Sequence, residues 1–283
     1  MAELLKGAPV AAAITEALRP RAGILKEHGI VPTLAIVRMG EKAGDLAYEH
    51  AAARCCSQLG IEIKVLALPE EAKQRQLVEE IMKLNADASV HGCLIMRPLP
   101  RHIDENAVCQ TLLPRKDVDC VTELSLSRVF SGHSGGFYPC TAEACLRILD
   151  YYGYRLSGAR ISVIGRSLVV GRPLSIMLQD RDATVTMCHS RTKELAKVCR
   201  NKDMLIVAAG KANMIDENYV NQNQVVIDVG INDDGQGRIT GDVNFPAVEP
   251  CVSAITPVPG GVGSVTASIL AKHVIMAAEN TLT

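Results

Sequence analysis

Tryptophan is absent from the 283-residue chain, and Phe and Tyr bring the aromatic fraction only to 3%. So few rings exclude a stacking platform for single-stranded nucleic acid. Excess charge is lacking as well: 30 Lys and Arg stand against 31 Asp and Glu. No overall field therefore draws in a polyanion or an acidic membrane surface. The ten cysteines, at 55, 56, 93, 109, 120, 140, 145, 188, 199 and 251, include no CxxC pair, and several lie inside apolar runs. That pattern fits neither a zinc framework nor a disulfide scaffold, and it suits a reducing, cytoplasmic setting. No run of about 20 apolar residues suggests a membrane span. The opening segment MAELLKGAPVAAAITEALRP interrupts its apolar positions with polar ones at helical spacing, so it reads as an amphipathic helix rather than a signal peptide. The absences together point away from metal, nucleic acid and membrane.

What is present is an aliphatic chain, 48% hydrophobic and rich in Ala, Val, Ile and Leu, a composition suited to parallel strands covered by helices. Its length favours two domains. In the first half, apolar runs TLAIVR (33–38), IEIKVL (61–66) and HGCLIM (91–96) alternate with helical patterns near 44–59, 71–85 and 104–113. A turn-prone stretch, FSGHSGGFYPC (130–140), breaks the rhythm before the helical pattern TAEACLRILDYYG. The alternation restarts with RISVIG (160–165), a helix near 170–180, ATVTMCH (183–189), a helix near 192–200, DMLIVAAG (203–210), a short helical turn and QVVIDVG (224–230). A helix over 264–280 closes the chain. Repeated β-α-β predicts an α/β fold of two domains: an N-terminal α/β catalytic domain and a C-terminal Rossmann-type dinucleotide-binding domain. The boundaries are drawn at 1–145 plus 265–283 for the first and 146–264 for the second.

The segment ISVIGRSLVVGRP runs from a strand through Gly165 to Gly171 and into a helix, where backbone amides and the helix dipole favour a pyrophosphate. Its spacing is not GxGxxG, and an ordinary βα turn is an equal reading of these glycines alone. The next strand ends in CHSRT, where an NAD-binding fold places an acid against the ribose. Ser190 and Arg191, with Arg166 from the glycine turn, supply donors for a 2′-phosphate, so NADP is favoured over NAD, and Ser167 is a further cofactor-binding position on that turn. Ala209, Gly210, Gly230 and Ile231, at the following strand ends, leave room for a nicotinamide ring and its ribose. Asp228 reads instead as a structural carboxylate bonding neighbouring amides.

RPLP (97–100), KDVD (116–119), PCTA (139–142), GRSLVVGRP (165–173), CHSRT (188–192), VIDVGIN (226–232), GDV (241–243) and TPVPGGVG (256–263) occur in an order that resembles the methylenetetrahydrofolate dehydrogenase/methenyltetrahydrofolate cyclohydrolase family over nearly the whole chain. TPVPGGVG and KDVD are the specific members of the set. The resemblance implies a homodimer of one-carbon metabolism and purine supply, with tetrahydrofolate derivatives bound in a cleft between the domains. NADP would take hydride from 5,10-methylenetetrahydrofolate, and bifunctional members then hydrolyse the methenyl product to 10-formyltetrahydrofolate. It further implies Tyr48 and Asp119 as catalytic and substrate-binding residues, and Pro259, Gly260, Gly261 and Thr266 as substrate-binding positions.

Three positions depart from the family pattern. Ala52, one helical turn beyond Tyr48, stands where the family has Lys; Met96 stands where it has Gln; Asp45 stands where Ser is usual. Ser264 and Val265 also replace a common Pro and Met. Hydride loss from the methylene carbon leaves a cation stabilised by two nitrogens and needs no general base. Hydrolysis does need proton transfers, to which positioned groups contribute about 10²–10⁴-fold. The expectation is therefore a dehydrogenase with weak or absent cyclohydrolase activity. A bifunctional enzyme with Asp45, Arg97 or a displaced lysine as replacement, a non-catalytic folate- or nucleotide-binding homologue, and a dehydrogenase for another substrate stay open. An exposed Asp45–Arg54 pair is a further reading of the Tyr48 helix.

Overall fold

The computed structural model describes residues 1–132, 136–233 and 237–282; part of the turn-prone stretch, 133–135, lies outside them. The chain opens with a short strand, β1 (Glu3–Leu4), ahead of helix α1 (Gly7–Glu27). The first helix therefore begins only at Gly7, because Glu3 and Leu5 donate their amides to Ser253 and Ile255 carbonyls at 2.9 Å each and extend a sheet.

Strands β2 (Thr33–Met39), β3 (Glu62–Leu68) and β4 (Gly92–Ile95) alternate with helices α2 (Ala43–Ser57) and α3 (Gln74–Ala86). They form a parallel sheet in the order β3-β2-β4. β4 is buried throughout and β2 nearly so, as continuous apolar runs require, whereas edge strand β3 leaves Val65 exposed. Val37, Ile95, Leu77, Ile81, Val108 and Leu112 fill the core on one side. Helices α4 (Glu105–Thr111) and α5 (Glu123–Ser131) follow. α5 was not foreseen, and it carries the chain through Phe130 and Ser131, where a turn was expected. Its start is fixed by Thr122, whose hydroxyl accepts from the Ser125 amide at 3.2 Å.

KDVD explains itself locally. The buried Lys116 ammonium donates to the Leu84 and Asp87 carbonyls at the C-terminal end of α3, both at 2.6 Å. Asp117, fully buried, accepts from the Val121 and Thr122 amides ahead of α5. Each charge thus meets donors or acceptors that a helix end leaves unpaired.

The second half contains α6 (Cys140–Tyr151), β5 (Arg160–Ile164), α7 (Gly171–Gln179), β6 (Thr184–Cys188), α8 (Leu195–Arg200), β7 (Met204–Val207), β8 (Val225–Asp228), the antiparallel pair β9 (Asn232–Asp233) and β10 (Ile239–Thr240), α9 (Phe245–Val248), β11 (Ala254–Ile255) and α10 (Gly263–Glu279). Six strands make a parallel sheet in the order β1-β11-β8-β7-β5-β6. The chain leaves β5 for β6 on one side and then crosses to β7 on the other, the reversal that opens a ligand crevice at the strand ends of a Rossmann-type sheet. The contacts divide the chain into Met1–Ala11 with Thr141–Thr266, and Ala12–Cys140 with Ala267–Thr283. Residues 1–11, expected in the folate-binding domain, instead join the dinucleotide-type unit through β1. In the other unit, α10 packs on β4: a Cβ on Gly92 would lie 2.7 Å from a Val118 methyl and 3.2 Å from a Val274 methyl. No helix among the described residues is long and apolar enough to cross a membrane.

Candidate active site

In the unit built on β2–β4, the C-terminal strand ends bring Arg38, Met96 and Arg97 together, since Val37 pairs with Ile95 and the Met96 amide donates to the Val37 carbonyl at 2.8 Å. α2 leaves β2 at this end and carries Tyr48, which is half-buried. Burial pushes the Tyr48 phenol well above its usual value, and the neighbouring Cys140, Asp119, Cys56 and Cys55 push the same way. Of those neighbours Asp119 is the carboxylate and the other three are thiols. The phenol stays protonated and is available as a donor at physiological pH.

Asp119 lies in the same neighbourhood. Its Oδ1 accepts from the Cys140 amide at the start of α6, at 3.2 Å, and its Oδ2 lies 3.9 Å from Nη2 of Arg97. Burial raises the Asp119 carboxyl, while the Arg97 charge and the Cys140 hydrogen bonds oppose that rise. Asp119 thus caps the start of α6, while Asp117 holds the entry to α5.

The altered positions are closed rather than open. Ala52 is fully buried and Met96 is 5% exposed, so neither presents a polar group at the surface. Asp45 is half-buried, and burial raises its carboxyl against the pull of Lys42 and Arg38. No Asp45–Arg54 ion pair forms among the described residues; nine residues separate them, and Asp45 faces Lys42 and Arg38 instead. The Lys42 ammonium donates to the Pro98 carbonyl at 2.9 Å. Arg97, which the sequence offers only as a replacement for the missing lysine, is the cationic residue directly after the apolar run of β4.

In the other unit, three strand ends lie side by side. Ile164 pairs with Cys188 and Val207, so the turns after β5, β6 and β7 are neighbours. Gly165 has φ +122, and a Cβ there would lie 2.2 Å from the Ala208 carbonyl oxygen; one on Gly171 would lie 2.1 Å from the Gly165 oxygen. Only glycine permits this turn. It delivers the chain to the N-terminus of α7, where Val170 offers no side-chain cap. Arg166 and Ser167 are exposed on the turn.

At the end of β6, the His189 amide donates to the Thr192 hydroxyl at 2.9 Å, and the Arg191 amide donates to Nδ1 of His189 at 3.2 Å. The imidazole is folded onto its own loop. Ser190 and Arg191 are left exposed, and no carboxylate occupies this strand end.

Asp228 behaves as the structural carboxylate expected, accepting from the amides of Gly230, Asp242 and Val243 at 2.9, 3.1 and 3.0 Å. Burial lifts its carboxyl to about 6 despite those bonds. Asp242 carried no assigned role in the sequence. It is fully buried, and it accepts from the amides of Ala209, Gly210 and Lys211 at 2.6, 2.9 and 2.8 Å and from the Asn232 side chain at 2.9 Å. Ile231 is strongly exposed. Beyond it, the TPVPGGVG turn is closed by the Gly7 amide donating to the Gly260 carbonyl at 2.8 Å, and Pro259 and Gly260 are exposed. Gly261 and Thr266 are buried, and the Thr266 hydroxyl donates to the Val262 carbonyl at 3.2 Å.

Known proteins show the same two-part organisation. The profile of the tetrahydrofolate dehydrogenase/cyclohydrolase catalytic domain matches residues 5–119, and that of the tetrahydrofolate dehydrogenase/cyclohydrolase NAD(P)-binding domain matches residues 139–282. The chain belongs to the tetrahydrofolate dehydrogenase/cyclohydrolase family. A bifunctional protein FolD of Carboxydothermus hydrogenoformans is 48% identical over 281 residues, 99% of this chain and 98% of that protein. The crystal structure of the bifunctional FolD of Campylobacter jejuni superposes with a TM-score of 0.95 at 37% identity, covering 99% of this chain and all of the other. That of Trypanosoma brucei FolD, complexed with NADP and an inhibitor, gives 0.94 at 30% identity, covering 99% and 98%. Membership in the tetrahydrofolate dehydrogenase/cyclohydrolase family makes this chain a two-domain α/β enzyme with an NAD(P)-binding domain of Rossmann type.

Proposed function

We propose that this enzyme oxidises 5,10-methylenetetrahydrofolate with NADP, and that its hydrolysis of the methenyl product is weak or absent. The observation that carries the second part is the make-up of the two altered positions: the turn of α2 after Tyr48 presents the fully buried Ala52, and the end of β4 presents Met96, 5% exposed, so neither supplies a proton-transfer group.

The residues present suit a nicotinamide dinucleotide. The Gly165–Gly171 turn admits no Cβ, the N-terminus of α7 lacks a side-chain cap, and the end of β6 offers a hydroxyl and a guanidinium in place of a carboxylate. In this reading Gly165, Ser167 and Gly171 lie against the pyrophosphate, and Arg166, Ser190 and Arg191 hold the 2′-phosphate. Ala209, Gly210, Gly230 and Ile231 flank the nicotinamide end. When bound, NADP supplies the hydride acceptor. Asp119 accepts hydrogen bonds from the pterin's amino group and ring nitrogen, with the Arg97 charge opposing the rise that burial imposes on the carboxyl. The Tyr48 ring packs on the folate while its neutral hydroxyl donates. Pro259, Gly260, Gly261 and Thr266 complete the substrate contacts. None of these groups removes a proton from carbon, and oxidation needs none to do so.

Hydrolysis asks for more, because water must lose a proton as it adds and a nitrogen must gain one as the adduct opens. Neither Ala52 nor Met96 exchanges a proton, and the Lys42 ammonium is bound to the Pro98 carbonyl. The competing reading is a fully bifunctional enzyme, favoured by relatives of 45–48% identity that carry the name bifunctional. Two assays on one preparation separate the readings: reduction of NADP, with NAD alongside, by 5,10-methylenetetrahydrofolate, and loss of 5,10-methenyltetrahydrofolate absorbance against buffer. Reduction with hydrolysis at the buffer rate is the expected result; enzyme-dependent hydrolysis supports the bifunctional reading. A homodimer in the cytoplasm belongs to the same proposal.

A further inference from the structure

Three consecutive amides, those of Ala209, Gly210 and Lys211, converge on the two carboxylate oxygens of Asp242. Successive amides curled around one anion form a concavity of the kind proteins use for ligand phosphates. Here the chain fills it with its own carboxylate. The turn after β7 therefore has no amide to spare for a cofactor phosphate at these three positions. Gly210, in the middle of the turn, sits at φ +65.

The same carboxylate ties in the turn after β8. Asn232 donates its side-chain amide to Oδ1 of Asp242 at 2.9 Å, and a Cβ on Gly230 would lie 2.4 Å from Asp242. The backbone of Asp242 is fixed from beneath, since its amide donates to Asp228 and its carbonyl accepts from the Ile215 amide at 3.1 Å. One buried side chain thus sets the shape of both turns assigned to the nicotinamide end, and residues 33, 32, 31 and 10 positions away in sequence meet on it. Ala208, next to the first of them, supplies the oxygen against which Gly165 is packed.

We infer that Asp242 is a positioning residue for the nicotinamide end of the dinucleotide site, holding the turns after β7 and β8 in their binding shape before the cofactor arrives. The inference rests on the assignment of Ala209, Gly210, Gly230 and Ile231 to that site. A turn held by a buried, fully hydrogen-bonded group loses no conformational freedom on binding. Replacing one carboxylate oxygen by an amide NH₂ aims a donor at donors and releases the turn.

Binding of NADPH to the full-length chain, followed by the fluorescence of its reduced ring, tests this without the folate reaction. Asp242→Asn should weaken NADPH binding by about tenfold or more. In turnover it should raise KM for NADP while kcat falls less, and it should leave the ratio of NADP to NAD affinity unchanged, because the 2′-phosphate donors lie on the β6 turn. Loss of folded protein alone would lower kcat and leave KM in place. If Asp242→Asn does not fold, as read by far-UV circular dichroism, Asn232→Ala keeps three amides on the carboxylate and should show a smaller shift in the same direction. NADPH binding within twofold of the unaltered chain in the folded variant overturns the inference. Failure of the unaltered chain to bind NADPH at all would overturn the cofactor assignment instead.

Discussion

Arg97 lies 3.9 Å from Asp119, its Nη2 facing Oδ2, beyond hydrogen-bonding distance but well inside Coulombic range. The guanidinium's positive charge opposes the rise that burial imposes on the carboxyl. Removing it with Arg97→Met leaves only the Cys140 hydrogen bonds to oppose burial, so Asp119 protonates at a higher pH. If the ionised carboxyl is what receives the folate, the acid limb of the kcat/KM profile for 5,10-methylenetetrahydrofolate should move upward in pH. An acid limb that stays in place or moves down would remove Arg97 from this role.

Arg191 is exposed on a turn whose neighbouring imidazole is folded back against the backbone. Nothing else on that turn holds a full positive charge near Ser190 except the adjacent Lys193. Arg191→Ala should therefore weaken NADP binding by about 10–100-fold, the worth of a charge-assisted bond, and leave NAD nearly unchanged. Paired KM measurements for the two cofactors decide it, and an equal loss for both would place the 2′-phosphate elsewhere.

The elements visible in the sequence are those whose signal is local. β2, β4, β5, β7 and β8 are apolar runs bounded by turn residues, and each lies within a few residues of its expected place. β1 is a two-residue strand that exists only because Glu3 and Leu4 pair with Ala254 and Ile255 across some 250 residues, and β11, equally short, is held between β1 and β8. The local pattern at the N-terminus favours a helix from its start, and the sheet edge overrides it. α5 did leave a trace, in Thr122 ahead of apolar Leu126 and Val129, but the glycine-rich stretch behind it dominates the reading. For the site, the glycine turn and CHSRT are contiguous and legible. Asp119 with Cys140, and Asp242 with residues 209–211, are meetings across 20 to 30 residues that no periodicity announces.

Asp228 gives the fold a pH signature. Its carboxyl titrates at about 6 in the folded protein, against an ordinary value of 3.8, because burial disfavours its charge more than three amides favour it. The folded state thus holds this proton more tightly than the unfolded chain, and the group's contribution to stability is greatest below about pH 4. It is lost as pH rises through 6. Asp228→Asn cannot titrate and leaves one of the three amides facing an NH₂ group, so it should be less stable than the unaltered chain by about 1–3 kcal/mol at acid pH. The gap between the two should narrow between pH 4 and 7 in urea unfolding curves. A gap that widens over that range would show that the carboxylate is favoured in the fold after all.

Ala52 and Met96 offer the most direct test of lost hydrolysis. If the missing proton-transfer groups are the reason, Ala52→Lys with Met96→Gln should raise the hydrolysis of 5,10-methenyltetrahydrofolate above the unaltered chain by up to about 10²–10⁴-fold, the usual worth of positioned acid/base groups. Position 52 is fully buried, one helical turn from Tyr48, on whose hydroxyl the Asp119 carboxyl acts. The lysine should therefore lower the melting temperature, and proximity to Asp119 should partly offset the cost of burial. Dehydrogenase turnover should persist, since hydride transfer uses neither side chain. Two outcomes would count against the proposal: rapid hydrolysis already present in the unaltered chain, or a folded double variant that reduces NADP normally and hydrolyses no faster than before.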